Sequence, residues 1–227
     1  MKRRTFDPLY LPNYGLEEAV RYLHIPRSTL HFWMAGKNPL LSLADPQKRL
    51  LSFKNLVELY VLKGLREIHR VRLSAVRDAS EYLKENWPSS HPFADYDLQT
   101  DGIHVYFWDK SDCLYDVSGG GQMGLPSVMD EYLKRINRDA EGLANALHPY
   151  LTSSSLRSGI PEPRIISIDP NICFGMPVLA GTRITTAMLT ARYKGGDSIP
   201  AIAKSYGRPE DEIAAAIRWT TGSEKAA

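Results

Sequence analysis

The chain has 227 residues, of which 43% are hydrophobic and 24% charged, as is typical of a globular protein with a sizeable core. No apolar run approaches the ~20 residues that a transmembrane helix requires. The formal net charge is only +2, but residues 1–75 carry 13 Lys/Arg against 6 Asp/Glu, whereas the remainder carries 15 against 20. We therefore expect the N-terminal part, and not the C-terminal part, to be attracted to a polyanion.

Two short helices are predicted near the N-terminus. Residues 15–23 place four apolar side chains on one helical face, and Pro26 can begin a second helix that ends at Gly36. Two helices joined by a tight turn form a helix-turn-helix pattern. Residues 39–53 then carry two apolar runs around a turn at Asp45-Pro46-Gln47, which predicts a β-hairpin.

Two helices complete the N-terminal region, and a middle region without a chemical signature follows them. Ser52 can cap a long helix, and an amphipathic helix is expected over residues 74–86. Residues 102–108 and 113–117 predict two β-strands, and Ser127 can begin a helix that includes Ile136. We expect this middle region to pack into the core or to mediate dimerisation.

The segment Thr29-Leu30-His31-Phe32-Trp33 and the hairpin that follows it resemble the MerR-like family of winged helix-turn-helix proteins. The resemblance covers about the first 85 residues. It implies binding to double-stranded DNA, with the second helix as the reading helix and the hairpin as a short wing. The effector region of such regulators is not recognisable here, so small-molecule sensing is not implied.

The side chains of this segment agree with a DNA-binding role. Leu30 and Trp33 are expected to anchor the second helix, which exposes the polar residues near its N-terminal turn. Arg27 can contact a guanine edge through two hydrogen bonds, and the basic hairpin tip suits backbone phosphates. The alternative is a helix pair that only packs, with its basic residues on a solvated face. The predicted DNA-binding residues are Arg27, Ser28, Thr29, His31, Lys37, Lys48 and Arg49.

The C-terminal region is predicted to begin with short strands and to continue as helices. Residues 164–169 and 177–179 favour β-structure, and Gly181 can adopt a positive φ in a turn. Three helices are expected after this turn, beginning at a cap on Thr185 or Thr186, at a cap on Ser198, and near Pro209.

A specific pattern runs through this region, formed by Ile168-Asp-Pro, Ile172, Gly175, Pro177-Val178 and Gly181-Thr-Arg-Ile184. Its spacing resembles the small helical domain of unknown function 433, which occurs in VapB-like antitoxins, over about residues 164–219. Joined to the MerR-like front half, the chain resembles a VapB-type antitoxin over most of its length. The resemblance implies a PIN-domain ribonuclease toxin as the partner.

The acidic C-terminal region is expected to contact a protein. Its last two helices could form a second helix-turn-helix, but the acidic run Glu210-Asp211-Glu212 would face phosphates where a reading helix approaches DNA. Structural packing alone is the remaining alternative. The candidate toxin-binding residues, chosen by charge only, are Arg157, Arg164 and Arg183. For Arg183 we expect an internal clamp on the turns of its own domain, with contact to a partner as the alternative.

Enzymatic chemistry finds little support in the sequence. The six histidines lack a metal-binding spacing, and Cys113 and Cys173 are isolated, so we expect free thiols in a reducing cytoplasm. Neither Gly119-Gly120-Gly121 nor the segment ICFGMPVLAGTRI has the Lys-[Ser/Thr] ending of a phosphate loop. A nuclease would need carboxylates for Mg²⁺, although turn preference explains the aspartates more simply. These are Asp95, Asp97, Asp101, Asp109, Asp112 and Asp116.

Together these patterns predict a mainly α fold with small β-hairpins. The expected divisions are a MerR-like winged helix-turn-helix domain over 1–86, a packing or dimerisation region over 87–151, a Ser- and Pro-rich linker over 152–163, and a VapB-like antitoxin domain of three helices preceded by short strands over 164–227. The expected function is a cytoplasmic antitoxin without enzymatic activity, metal, cofactor or membrane partner. As a homodimer, or a hetero-oligomer with its PIN-domain toxin, it would repress its own operator. The alternative is a stand-alone MerR-like regulator without a toxin.

Overall fold

The computed structural model describes residues 7–35, 39–87, 89–96, 98–100, 104–108, 114–119, 122–123, 133–151 and 162–222. These residues are mainly helical with short antiparallel strand pairs, which confirms the expected fold class at that level. The helices are α1 Leu16–Leu23, α2 Arg27–Met34, α3 Phe53–Lys63, α4 Leu73–Asn86, α5 Pro92–Asp95, α6 Thr186–Lys194, α7 Ile199–Tyr206 and α8 Glu210–Gly222. The strands are β1 Tyr14–Gly15, β2 Leu50–Leu51, β3 Leu98–Thr100, β4 Val105–Trp108, β5 Leu114–Asp116, β6 Gln122–Met123, β7 Ile136–Arg138, β8 Ala144–Leu147, β9 Ile166–Ser167 and β10 Val178–Leu179. Among the described helices, none has both the length and the apolar character that crossing a bilayer requires.

Helices α1 and α2 form the predicted helix pair near the N-terminus. Helix α1 ends at His24, which adopts the left-handed conformation with φ 50°. Pro26 then precedes the first residue of α2, where its fixed φ suits the start of a helix. Leu30 and Trp33 are the buried residues of α2, so the two predicted anchors are confirmed.

The expected hairpin over residues 39–53 is wrong in its first arm. Leu40 and Leu41 are buried core residues outside any strand. Strand β2 instead pairs antiparallel with β1, which precedes α1 in the chain. Across the turn itself, the bridge joins Asp45 to Leu50. The first apolar run therefore fills the core, while the second finds its hydrogen-bonding partner far away in the sequence.

Helix α3 is buried along its whole length, and Ser52 caps its N-terminus as expected. Its charged side chains are paired inside the protein. Lys54 contacts Asp95, and the Glu58 Oε2 atom lies 2.9 Å from the Nδ1 atom of His91. Burial raises the pKa of Glu58 even though His91 acts in the opposite direction. Because Asp95 belongs to α5 and His91 directly precedes it, these contacts tie α3 to α5.

The last residue of α3 stabilises the end of α1. The ammonium of Lys63 donates hydrogen bonds to the carbonyl oxygens of Leu23 at 2.7 Å and His24 at 3.2 Å. A cation at this end satisfies carbonyls that lack partners within the helix and interacts favourably with the helix dipole. The chain continues from α3 through a π-helical turn, Gly64–Ile68, towards α4, whose range confirms the helix predicted over residues 74–86.

The middle region contains an antiparallel sheet with the order β3-β4-β5-β6. Strands β4 and β5 confirm the two strands predicted there, and their paired residues Phe107 and Tyr115 both have rings within 6 Å of the Trp87 ring. The helix predicted from Ser127 is wrong at its end, because Ile136 belongs to β7, which pairs with β8. Residues 124–132 lie outside the described residues.

Residues 162–222 form a small unit with an apolar core of its own. Strands β9 and β10 pair antiparallel. The hydroxyl of Thr185 accepts a hydrogen bond from the Met188 amide at 3.2 Å, and Ser198 caps α7 in the same way, which confirms both predicted caps. Gly181 has φ +74°, as expected for its turn. The core shared by the strands and the three helices includes Ile166, Leu179, Leu189, Ile202 and Ile213.

Two sets of contacts join this C-terminal unit to the N-terminal helix pair, and the first surrounds Gly175. The Tyr14 hydroxyl donates a hydrogen bond to the Gly175 carbonyl oxygen at 3.1 Å, and the Asn13 side-chain amide donates to the carbonyl oxygen of Phe174. Cys173, Phe174 and Gly175 all have positive φ. A left-handed turn of three residues is therefore held against the segment that precedes α1.

Trp219 of α8 provides the second set of contacts. Its ring stacks on Tyr22 of α1 with the centroids 5.8 Å apart, and it lies edge-on to the His24 ring at 6.1 Å. Burial lowers the pKa of His24 from 6.5 to about 4, and the positive charge of Lys63 acts in the same direction. The His24 Nε2 atom is buried without a hydrogen-bond partner in the described part of the chain. His24 is therefore neutral at neutral pH.

The contact at Gly175 predicts different outcomes for two glycine substitutions. Gly175 and Gly181 have φ +77° and +74°, so an alanine at either position costs about 1–2 kcal/mol through backbone strain. A methyl group on Gly175 would also overlap the Tyr14 hydroxyl, whereas nothing lies within 4 Å of the same methyl on Gly181. We expect Gly175→Ala to lower the free energy of unfolding by about 1–3 kcal/mol more than Gly181→Ala in urea denaturation. Equal losses would contradict a role for the Tyr14 contact.

The neutral, buried ring of His24 predicts a pH dependence of stability. Because the folded pKa is about 4 and the unfolded value 6.5, the unfolded chain binds the proton more tightly. The stability that His24 contributes is complete above pH 6.5 and is lost as the pH falls towards 4, by an amount on the order of 3 kcal/mol. We expect His24→Asn, which keeps a residue tolerant of positive φ, to remove this loss. The test is urea denaturation of both proteins across this pH range, and parallel stability curves would contradict it.

Candidate functional site

The exposed face of α2 carries most of the predicted DNA-binding residues. Arg27, Ser28 and His31 are exposed, and Thr29 is half-buried, because the anchoring residues of this short helix point towards the core. The sequence contains no Asp or Glu between His24 and Lys37. A nucleic-acid phosphate approaching this helix therefore meets no acidic side chain of the helix itself.

Arg27 forms an ion pair with Glu17 of α1. The side chains are 61% and 55% exposed, respectively, so the pair lies at the surface. The hydrogen bond from Arg27 lowers the pKa of Glu17. Exposed ion pairs contribute little net free energy because water and salt compete for both charges. The guanidinium of Arg27 can therefore exchange Glu17 for a phosphate or a base edge at small cost.

The turn between Asp45 and Leu50 carries two more of the predicted DNA-binding residues, Lys48 and Arg49. Lys48 is exposed, and its amide is held by the Asp45 carboxylate at 2.9 Å. Arg49 is also exposed, and its Nη2 atom lies 3.4 Å from the Nδ1 atom of His31. The structure thus places Arg49 beside α2, although the turn is shorter than the expected wing. Lys37 lies outside the described residues.

The π-helical turn and its arginines, which we call the basic turn, lie beside α2, a contact that the sequence did not predict. An open cleft is lined by α2 residues, including Ser28 and Phe32, together with Arg66 and Glu67 of the π-helical turn. Two further arginines, Arg70 and Arg72, are exposed in the connection that leads from this turn to α4. The sequence has four arginines between positions 66 and 77, but only tertiary contacts show that Arg66 lines the cleft beside α2 and that Arg77 lies over the ring of Phe32.

The three arginines predicted to bind a toxin have different environments. Arg157 lies outside the described residues. Arg164 donates hydrogen bonds to the Lys134 carbonyl oxygen at 2.6 Å and to the Asn137 side chain at 3.2 Å, so it holds the C-terminal unit against the β7 segment. Arg183 is exposed, and its guanidinium has no hydrogen-bond or ion-pair partner among the described residues. The expected internal clamp by the Arg183 side chain is therefore wrong.

The aspartates considered for a metal site have structural partners where they are described. Asp95 pairs with Lys54, and the Asp116 carboxylate accepts hydrogen bonds from the amides of Ser118 and Gly119. Asp97, Asp101, Asp109 and Asp112 lie outside the described residues. Within the described ranges, no group of three or more His, Cys, Asp or Glu side chains is arranged to hold a metal ion.

The C-terminal unit matches a protein family of its own. Residues 166–219 match the family described as Protein of unknown function (DUF433). This range includes the left-handed turn at Gly175, the Gly181 turn, helices α6 and α7, and α8 as far as Trp219. The match covers the C-terminal unit and does not extend to the helix pair α1 and α2.

The sequence comparison and the structure comparison each match the chain, over nearly its whole length, to a protein of Mycobacterium tuberculosis. A curated protein named "Putative antitoxin VapB45" is 26% identical over 234 residues, which cover 91% of this chain and 93% of that protein. The X-ray crystal structure of Rv2018 has a TM-score of 0.63 and 24% identity, covering 93% of this chain and 98% of that one. The match in structure establishes a similar fold, and the match in sequence is to a protein that carries the name of a putative antitoxin.

Proposed function

We propose that this protein is the antitoxin of a type II toxin–antitoxin pair. The observation that carries the proposal is the 26% identity to a curated protein named as an antitoxin, because the alignment spans 91% of this chain. Similarity along the whole length supports a shared arrangement of both the N-terminal and the C-terminal units. On this proposal the protein has no enzymatic activity of its own, and its partner is a PIN-domain ribonuclease toxin.

The second part of the proposal is that a homodimer, or a complex with the toxin, represses its own operon through the N-terminal helix pair. The α1–α2 pair acts as a MerR-like helix-turn-helix, with α2 as the reading helix and the turn at Lys48 and Arg49 as a short wing. The exposed, basic face of α2 supports this assignment. Arg66 of the basic turn lines the cleft beside α2, and the exposed Arg70 and Arg72 follow it in the chain, where they can neutralise backbone phosphates.

Substitutions in this face should separate base recognition from phosphate binding. Arg27→Ala is expected to weaken binding to the upstream DNA by about 1–3 kcal/mol and to relax base preference, because the guanidinium contacts a base edge. Lys48→Ala and Arg70→Ala should weaken binding to all duplexes alike and lower the salt slope by about one each. Mobility shifts on operator and scrambled duplexes over a range of salt concentrations measure both effects.

The matched control for these variants is Lys204→Ala. Lys204 is an exposed residue of α7 in the C-terminal unit, so its removal changes the net charge equally without touching the α2 face. We expect the control to bind like the wild-type protein. DNA binding that is unaffected by all three test substitutions, or equally weakened by the control, would contradict the DNA-reading assignment.

The toxin half of the proposal is tested with the protein encoded next to this one. We expect co-expressed full-length chains to purify as a stable complex, and the partner's ribonuclease activity to fall as this protein is added. The same experiment addresses the alternative of a stand-alone MerR-like regulator. A chain that binds its upstream DNA but neither binds nor inhibits the neighbouring protein would support the regulator and contradict the antitoxin.

A further inference from the structure

The left-handed turn at residues 173–175 exposes an aromatic side chain. Phe174 is 84% exposed, more than any other described large hydrophobic residue. Its φ is 57°, and the preceding residue, Cys173, has φ 48°. Residues other than glycine rarely adopt this conformation because it costs free energy. Two such residues in succession, placed so that a phenylalanine reaches solvent, suggest a function for the exposed ring.

The backbone of this turn is held in place from both sides. The carbonyl oxygens of Phe174 and Gly175 accept hydrogen bonds from Asn13 and Tyr14, and the Cys173 thiol donates to the Arg183 carbonyl oxygen at 3.4 Å. These contacts fix the main chain but leave the phenylalanine ring free. A ring presented by a fixed backbone loses little conformational freedom when it enters a binding pocket.

Three further exposed side chains come from segments that adjoin this turn in the chain or through hydrogen bonds to the backbone. Met176 and Met188 are 43% and 47% exposed. They are connected through the hydrogen bond of 2.9 Å from the Thr186 amide to the Pro177 carbonyl oxygen, which sets the Met176 segment against the first turn of α6. Arg183 adjoins the turn through its carbonyl contact with Cys173. We call Phe174, Met176, Arg183 and Met188 the Phe174 surface.

Arg183 is the one charged side chain among these four. Residues 170–196 contain no Asp or Glu and three basic residues, Arg183, Arg192 and Lys194. Arg192 is already paired with Asp197 at 2.7 Å. Arg183, in contrast, has no hydrogen-bond or ion-pair partner among the described residues. The surface therefore combines an exposed aromatic ring, two methionines and an unpaired guanidinium, which are residue types enriched at protein interfaces.

We propose that the Phe174 surface is the docking site for the partner protein, which offers an apolar pocket for Phe174 and a carboxylate beside it for Arg183. This inference rests on the proposed antitoxin function, because it assigns a surface to the toxin. A second copy of this chain fits less well. In a symmetric dimer built on this surface, identical patches face each other, so Arg183 would meet a patch with the same charge and no carboxylate.

The test uses the full-length chain and the purified product of the neighbouring reading frame. Phe174→Asn removes the ring but keeps a residue that tolerates positive φ, so the turn is preserved. We expect it to weaken the complex by at least about tenfold, because a buried aromatic anchor is lost. Arg183→Gln should weaken binding and reduce its dependence on salt, because the ionic contact is removed. Surface-immobilised partner and titrated antitoxin variants give both affinities.

Tyr193→Gln is the matched control. Tyr193 is an exposed aromatic residue of the same unit, but it lies five positions after Met188 and thus about 140° away around α6. We expect this variant to bind the partner like the wild-type protein. Wild-type affinity for both Phe174→Asn and Arg183→Gln would overturn the docking site while leaving the antitoxin function intact. If the wild-type chain itself forms no complex, the proposed function fails, and the docking site with it.

Sedimentation of the chain alone tests the alternative that a second copy of this chain covers the Phe174 surface. We expect Phe174→Asn to sediment like the wild-type protein, because the Phe174 surface is free in the absence of the partner. Conversion of a wild-type dimer into a monomer by this substitution would show that a second copy covers the surface, and would overturn the proposal. Unchanged binding of upstream DNA by Phe174→Asn is expected and would establish that lost partner binding comes from the surface and not from unfolding.

Discussion

The complete burial of helix α3 is the constraint on which the rest of the N-terminal structure depends. A helix without a solvent face must pair its charged side chains inside the protein, because an isolated buried charge is very costly. Lys54 and Glu58 meet this requirement through Asp95 and His91 at α5. Lys63 meets it through the carbonyl end of α1. The polar residues of α3 therefore specify the positions of both neighbouring helices as well as satisfying their own charges.

The position of α1 in turn connects the two surfaces that we assign to function. Helix α2, with its exposed basic face, follows α1 after a turn at residues 24–26. The C-terminal unit contacts the same segment at Tyr14 and at the ring of Tyr22. Residues 13–24 thus border helix α2 on one side and the turn that exposes Phe174 on the other. The two units are therefore in direct side-chain contact, in addition to being linked by the chain.

Features that depend on residues close together in the sequence were predicted, whereas features that depend on contacts between distant residues were not. The caps at Ser52, Thr185 and Ser198 were predictable because a cap involves the hydroxyl and an amide only a few residues later. The strand partner of β2 and the strand at Ile136 were not, since a short apolar run suits core coil, strand or helix alike. The basic turn beside α2 was missed for the same reason, because its charges are visible in the sequence but its neighbours are not.

Arg164 and Arg183, the two candidate toxin-binding arginines that the structure describes, show this limit most clearly. Positive charge was the reason for predicting both Arg164 and Arg183 as toxin-binding residues. Arg164, however, is hydrogen-bonded to the β7 segment, which the sequence analysis assigned to a helix. The turn around Arg183 is stabilised without its side chain. Thr182 donates its hydroxyl to the Leu179 carbonyl oxygen at 2.8 Å and accepts the amide of Ile184 at 3.0 Å, and Gly181 supplies the positive φ. Because the described fold makes no use of the Arg183 guanidinium, that charge is available for a partner.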